Sequence, residues 1–347
     1  KRKNMKITKI LVPLSFLFAV TSANAGEMTV TGNMEATYHT LTHSKGNTGN
    51  PLGMDKELKF SGSTELDNGI TVSVMQDTND ALTFGNSQIA FGNILGLATI
   101  YVGSDSDPMD AKDDITPSAY EEANGSGSGS YISSGTTSSD IGRLAGQMGI
   151  GLKLDIPYAG ALDAKYYPSA DAVKNADNSS SGVNTTSNGT GKSMTLVTDL
   201  AALSMGTIEN LTLTTGYATK DTSNAVNTDD SFEFNAALNY AYGPVKIGLQ
   251  RTRHEVGNTT AATDSNKYDD TMIGIAYAVN DNLSISWNRY TSLEHGAGDE
   301  IEQETDALNL GYTIGGMTIG LQNATTDNSG YVVAAEDDTR TLGVSVA

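Results

Sequence analysis

Carboxylates dominate the chemistry this chain can offer. Between Ser104 and Gly142 stand Asp105, Asp107, Asp110, Asp113, Asp114, Glu121 and Glu122, followed by the Gly/Ser run Gly125 to Ser130. What so many like charges do together is create a fixed negative field that concentrates cations. Catalytic constellations are thin by comparison. The four histidines, His39, His43, His254 and His295, are scattered, and no H-E-x-x-H, G-x-S-x-G or P-loop occurs. The absence of cysteine removes thiol catalysis, disulfides and thiolate metal sites. The pairs Asp229-Asp230, Asp269-Asp270 and Asp337-Asp338 offer oxygen ligands to Ca²⁺ in external loops but lack EF-hand spacing, and read first as solvated acids. No other cofactor and no enzyme activity are expected.

A segment this long, poor in large apolar residues, needs a regular frame to hold it, and the flanking sequence supplies one. Met28, Val30, Gly32, Met34, Ala36 and Tyr38 share one parity, while Thr29, Thr31, Asn33, Glu35, Thr37 and His39 share the other, as in a strand with one apolar and one polar face. The same alternation recurs down the chain. Tight-turn signals, among them Asp67-Asn68-Gly69, Gly243-Pro244, Asn280-Asp281-Asn282 and Gly315-Gly316, separate some of these runs. Longer polar stretches separate the others. The pattern predicts about sixteen strands joined by alternating short turns and long loops, with both termini on the short-turn side. The boundary between Ala201 and Glu209 is the least defined, and Leu144 to Asp155 is expected as one strand.

Residues 1–25 carry Lys1, Arg2, Lys3, Lys6 and Lys9, an apolar run from Ile10 to Val20, and Ala23-Asn24-Ala25 before Gly26. This predicts a cleaved secretory signal peptide, with residues 1–4 an upstream extension of a start at Met5, and 26–347 as the mature domain. Without the leader, 21 − 5 = 16 basic residues stand against 41 acidic ones, a formal charge of 16 − 41 = −25. Such a surface argues against nucleic acid as a partner. The chain is only 38% hydrophobic, thin for a soluble protein of 347 residues but enough to coat the outside of a water-filled barrel. No other apolar run has the length of a membrane helix, so membrane crossing requires a closed barrel. The fold expected is all-β, a transmembrane antiparallel barrel. A soluble sandwich would need apolar inner faces and would not alternate long with short connections.

Parity then sorts charges by face. With Leu58 and Phe60 outward, Glu57, Lys59 and Glu65 point in. With Met148, Ile150 and Leu152 outward, Arg143 and Lys153 point in, and Asp163, Lys165 and Glu233 follow by the same rule. Arg251, Arg253 and Arg289 share the parity of Ile247, Leu249 and Trp287, so they face outward, where lipopolysaccharide phosphates are one expected partner.

In this order the chain resembles a Gram-negative general porin of the alphaproteobacterial type. The likeness rests on the start Glu27-Met28-Thr29-Val30-Thr31-Gly32 and on the Phe91-Gly92 and Ile100-Tyr101-Val102-Gly103 hairpin before the acidic stretch. Arg143 with the strand behind it, and the end Thr341-Leu342-Gly343-Val344-Ser345-Val346-Ala347, complete it. The resemblance implies a sixteen-stranded outer-membrane channel, usually a homotrimer, with its third external loop folded inward. It also implies a terminal aromatic residue, expected one position past Ala347. The function expected is passive diffusion of small hydrophilic solutes and ions. The seven loop acids would form one side of a constriction, Lys59, Arg143, Lys153 and Lys165 a sparse basic wall, and Glu57, Glu65, Asp163 and Glu233 further acid. Acid outnumbers base along this bore, so cation preference is expected. The alternatives are a substrate-selective porin for sugars or phosphate, and a plugged structural or adhesive barrel.

Overall fold

The computed structural model describes residues 28–43, 46–47, 49–78, 83–105, 107–112, 114–123, 144, 147–168, 190–204, 206, 209–221, 230–255, 267–295 and 300–346. The leader, Asp113, Arg143, Asp229 and the Gly/Ser run lie outside these residues. Their first half runs β1 (Thr29–His43), a two-residue rung β2 (Gly46–Asn47), β3 (Leu52–Glu65), β4 (Thr71–Thr78), β5 (Phe84–Ile94), β6 (Ala98–Gly103), β7 (Gly149–Ile156), β8 (Gly160–Tyr167) and β9 (Gly191–Asp199). The second half runs β10 (Leu211–Lys220), β11 (Ser231–Tyr242), β12 (Val245–Glu255), β13 (Lys267–Ala278), β14 (Leu283–His295), β15 (Ile301–Ile314), β16 (Met317–Asp327) and β17 (Glu336–Val346).

Every neighbouring pair is antiparallel, and β1 closes the sheet by pairing with β17 on one side and β3 on the other. Apart from the rung, sixteen strands make a closed barrel. Closure leaves no unpaired edge, which the membrane interior requires. Short turns follow β3, β5, β7, β11, β13 and β15. The first turns at Gly69, whose φ of 82° a side chain would resist, with its N–H donating to the Leu66 carbonyl at 2.8 Å. Between β9 and β10 the ill-defined stretch holds one helical turn, α1 (Leu200–Leu203), capped by the Asp199 carboxylate accepting from the Ala201 N–H at 2.9 Å.

The outward parity is apolar and uncovered, with Val30 55% and Ile150 52% exposed, and Ile89, Leu238, Ile275 and Leu321 likewise exposed. For a water-soluble molecule that surface would be untenable; here it is the lipid-facing coat. Inside, sixteen strands enclose more space than wall side chains fill. Two small apolar clusters stand there: Met109, Leu144, Tyr167 and Ala218, and Ala123, Met272, Tyr290, Ala307 and Ala324. Leu144, expected to begin a strand, is fully buried in the first cluster, and β7 starts only at Gly149. An apolar side chain that packs against Met109 inside the barrel is not available to continue a wall strand.

Candidate functional site: the segment inside the barrel

The connection after β6 turns into the barrel and is held against the inward faces of strands far from its root. It leaves β6 with Ser104 N–H donating to the Ser87 carbonyl at 2.8 Å. Lys165 Nζ donates to the Asp105 carbonyl at 2.9 Å, and Tyr167 Oη to the Asp107 carboxylate at 3.0 Å. Met109 N–H donates to Ser193 Oγ at 3.0 Å, followed by a single 3₁₀ turn over Asp110–Lys112.

From there the backbone is gripped by amide and hydroxyl side chains of the wall. Gln250 accepts from the Ile115 N–H at 3.0 Å and donates to the Lys112 carbonyl at 3.3 Å, and Asn235 donates to that same carbonyl. Asn239 donates to the Ile115 carbonyl at 3.0 Å and Asn288 to the Pro117 carbonyl at 2.9 Å. Ser286 Oγ accepts from the Ala119 N–H at 2.9 Å, and Gln322 donates to the carbonyls of Glu121 and Glu122 at 3.0 and 3.3 Å. Tyr120 Oη ends the path by donating to Glu35 of β1 at 2.7 Å. A backbone with no ladder of its own needs such partners wherever it is taken from water.

Register places the sequence-assigned charges. Glu57 opposes Asn33 and Lys59 opposes both Thr31 and Asp77, on the face of Glu35, so Glu57, Lys59 and Glu65 look inward. Lys153 and Asp163 pair across β7 and β8, with Nζ 3.7 Å from the carboxylate, and the Lys153 side chain is 52% exposed. Asp105, Asp110, Asp114 and Glu122 are partly exposed and Glu121 is exposed.

Three residues assigned to the open bore are covered instead. Lys165 is buried, its Nζ 4.8 Å from the Tyr167 ring centroid, beneath the segment's root and not across from it. Asp107 is buried beside it, and Glu233 is buried on β11 opposite His254. Parity fixes only the face a residue occupies, and the segment lying on that face decides whether water reaches it. The acid pairs are corrected by the same geometry. Successive strand residues face opposite ways, so Asp270 is buried inward under Tyr290 Oη (3.0 Å), while Asp269 faces outward 3.6 Å from Arg253. Asp337 accepts from Ser329 inside and Asp338 from Thr325 outside. They are not paired loop acids in solvent.

Inward tyrosines escaped the sequence reading. Tyr101 donates to Asp163 at 2.7 Å and Tyr268 to Glu294 at 2.9 Å, and with Tyr167–Asp107, Tyr290–Asp270 and Tyr120–Glu35 each sets a phenol on a carboxylate. A phenol satisfies an acid in a confined space without cancelling its charge. These tyrosines share parity with polar neighbours, for instance Tyr290 with Asn288 and Ser292, which was the available signal.

Confinement shifts the segment's acids. Burial pushes the Asp107 carboxyl up against hydrogen bonds from Ser193 and Tyr167 that hold it down. Glu122 is pushed up to about 7, mainly by burial, with the carboxylates of Asp114 and Glu121 adding to it. Glu121 reaches the water of the lumen but is hemmed in by the surrounding wall, and that confinement raises it, with Glu35 and Asp114 adding to the rise.

On the outer face, Arg289 is held by Asp306 through Nε (2.9 Å) and Nη2 (2.5 Å), and its Nη1 lies 3.2 Å from Glu304. Arg251 and Arg253 share the outward parity of Ile247 and Leu249, which pair with Tyr240 and Leu238.

A closed sixteen-stranded antiparallel barrel with an apolar coat and a polar interior is matched by the family model for Gram-negative porins over residues 14–331. The chain belongs to the Gram-negative porin family. It is an outer-membrane β-barrel, and its family is one of channels. Solved porin structures share the fold at low identity. The anion-selective porin from Comamonas acidovorans superposes with a TM-score of 0.63 at 13% identity, over 92% of this chain and 99% of that one. In-vitro folded OmpT, an outer membrane protein of Vibrio cholerae, gives 0.64 at 10% identity, over 93% and 99%. Its trimer form gives 0.62 at 10%, over 92% and 99%. A search of curated protein sequences finds no match.

Proposed function

We propose that this porin is a passive, non-enzymatic diffusion channel for small hydrophilic solutes and ions, that it prefers cations, and that the segment from Asp105 to Glu122 forms its constriction. One observation carries the reading. Gln322 holds the backbone of Glu121 and Glu122 inside the barrel, where confinement raises the proton affinity of both, Asp114 adds to it at each, and Glu35 adds to it at Glu121. Facing the same space are Glu57, Glu65 and Asp163, and the basic groups Lys59 and Lys153. A bore with that balance attracts cations and repels anions. The Comamonas relative is described as anion-selective. The shared fold does not carry a sign of selectivity, which follows from the charges lining each bore.

A homotrimer fits the trimer form of the Vibrio protein, and residues 1–25 fit a cleaved leader. The reading needs no cofactor. A substrate-selective variant is less favoured because Tyr101, Tyr167 and Tyr290 are buried and their hydroxyls are engaged, leaving them unable to stack on a passing sugar. Lipopolysaccharide phosphates reaching Arg253 or Arg289 would compete with the carboxylates already there, and Arg251 completes that outward group.

The test is the reversal potential of the purified channel in a planar bilayer under a KCl gradient. A potential of the cation-selective sign is expected, and an anion-selective one defeats the proposal.

A further inference from the structure

Glycine recurs on the inward face of six strands. Gly248 pairs directly with Gly274, and Gly311, Gly320 and Gly343 pair in a row across β15, β16 and β17. Gly216 on β10 lies on the same inward face, opposite Asn235. Glycine weakens a strand interior and needs a reason. Backbone conformation is not the reason, because none of the six adopts a positive φ. Space is. A Cβ on Gly216 would stand 2.4 Å from Met109 Sδ, and one on Gly248 2.4 Å from Pro117 Cδ. On Gly274 it would be 2.6 Å from the Pro117 carbonyl oxygen, and on Gly311 2.2 Å from that of Ala119. On Gly320 and Gly343 it would be 2.1 Å from Tyr120, at the ring and at Oη. Each of the six meets a residue of the inserted segment, with a wall atom about as close at Gly248 (Asn239 Oδ1, 2.3 Å) and at Gly343 (Glu35 Oε1, 2.2 Å). Gly92 is the contrast: it also faces inward, away from the segment's path, and the nearest atom to its Cβ would be Thr99 Oγ1 at 3.4 Å.

We propose that Gly216, Gly248, Gly274, Gly311, Gly320 and Gly343 form a track that seats the segment against the wall and so sets the clear width of the bore. They are positioning residues, and the inference rests on the constriction proposed above. A methyl group on Gly320 must gain at least 3.4 − 2.1 = 1.3 Å from Tyr120 to reach ordinary contact. The wall is a hydrogen-bonded sheet tied on both sides, whereas the described ties of the segment to the wall beyond its root run through side chains. The segment therefore yields, and it can yield only toward the bore.

The experiment measures single-channel conductance in KCl for Gly320→Ala, Gly343→Ala and the control Gly92→Ala, each in the full chain and in a chain lacking residues 109–120. In the full chain the two track variants are expected to conduct at roughly one-half to three-quarters of the parent level, with the control unchanged. In the shortened chain all three should conduct alike. Track variants that match the parent, or a loss that persists without the segment, overturn the track. If removing 109–120 fails to raise conductance, the constriction reading itself falls, a separate outcome. Should Gly320→Ala fail to fold, adding Tyr120→Ala is expected to restore folding and conductance, and misfolding that Tyr120→Ala does not relieve overturns the track.

Discussion

On the proposed function, Glu122 is expected to make the selectivity of this channel depend on pH near neutrality. Its carboxyl is pushed up to about 7, first by burial and then by Asp114 and Glu121. A group with that midpoint is about nine-tenths ionised at pH 8 and about 3% ionised at pH 5.5. Acidification therefore removes close to one negative charge from the bore. At roughly 5 Å from an ion's path, a unit charge is worth about 0.8 kcal/mol in water, or about 0.5 kcal/mol after screening at 0.1 M salt. That energy changes cation entry by about twofold and anion entry by about the same factor in the opposite sense. The cation-to-anion permeability ratio should then fall about four- to fivefold between pH 8 and 5.5. The assay is the reversal potential under a KCl gradient at both pH values, for the parent and for Glu122→Gln. At pH 8 the variant should behave like the parent at pH 5.5 and respond weakly to acid. His39 and His254 also face inward and remain in both proteins, so the difference between parent and variant isolates Glu122. A variant that keeps the parent's full pH response refutes the reasoning.

The same shift acts on stability. Because the folded state raises the proton affinity of Glu122, it binds more protons than the unfolded chain between the ordinary value of 4.5 and about 7. The contribution of Glu122 is thus greatest below that window and declines as pH rises through it, so the pH-dependence of thermal unfolding should be flatter in Glu122→Gln. Lys153→Gln removes an inward cation whose side chain is 52% exposed, and the reversal potential should move further toward K⁺. Met109→Ala hollows the cluster with Leu144, Tyr167 and Ala218 at a cost of about 2–5 kcal/mol, and should lower the unfolding temperature in detergent. Arg289→Gln breaks an outward ion pair worth about 1 kcal/mol or less, and should leave both conductance and selectivity unchanged in bilayers.

Period-two alternation made the barrel legible from residue types alone, because each strand must satisfy lipid on one face and water on the other. The outward parity of Arg251, Arg253 and Arg289 and the inward parity of Lys59, Glu57 and Lys153 follow from that rule and match the register. The long acidic connection after β6 was legible as well, by its length and composition. Its seat was not. Lys165 and Lys153 have the same parity, yet one is buried under the segment's root and the other reaches water. Asp269 and Asp270 are neighbours in sequence and lie on opposite sides of the wall. Parity is a local property of one strand, whereas burial inside the barrel depends on where a distant segment lies. Only closure of the sheet brings Gly248 beneath Pro117, and Gly320 and Gly343 beneath Tyr120, because the path of the segment is set by contacts with strands a hundred or more residues away.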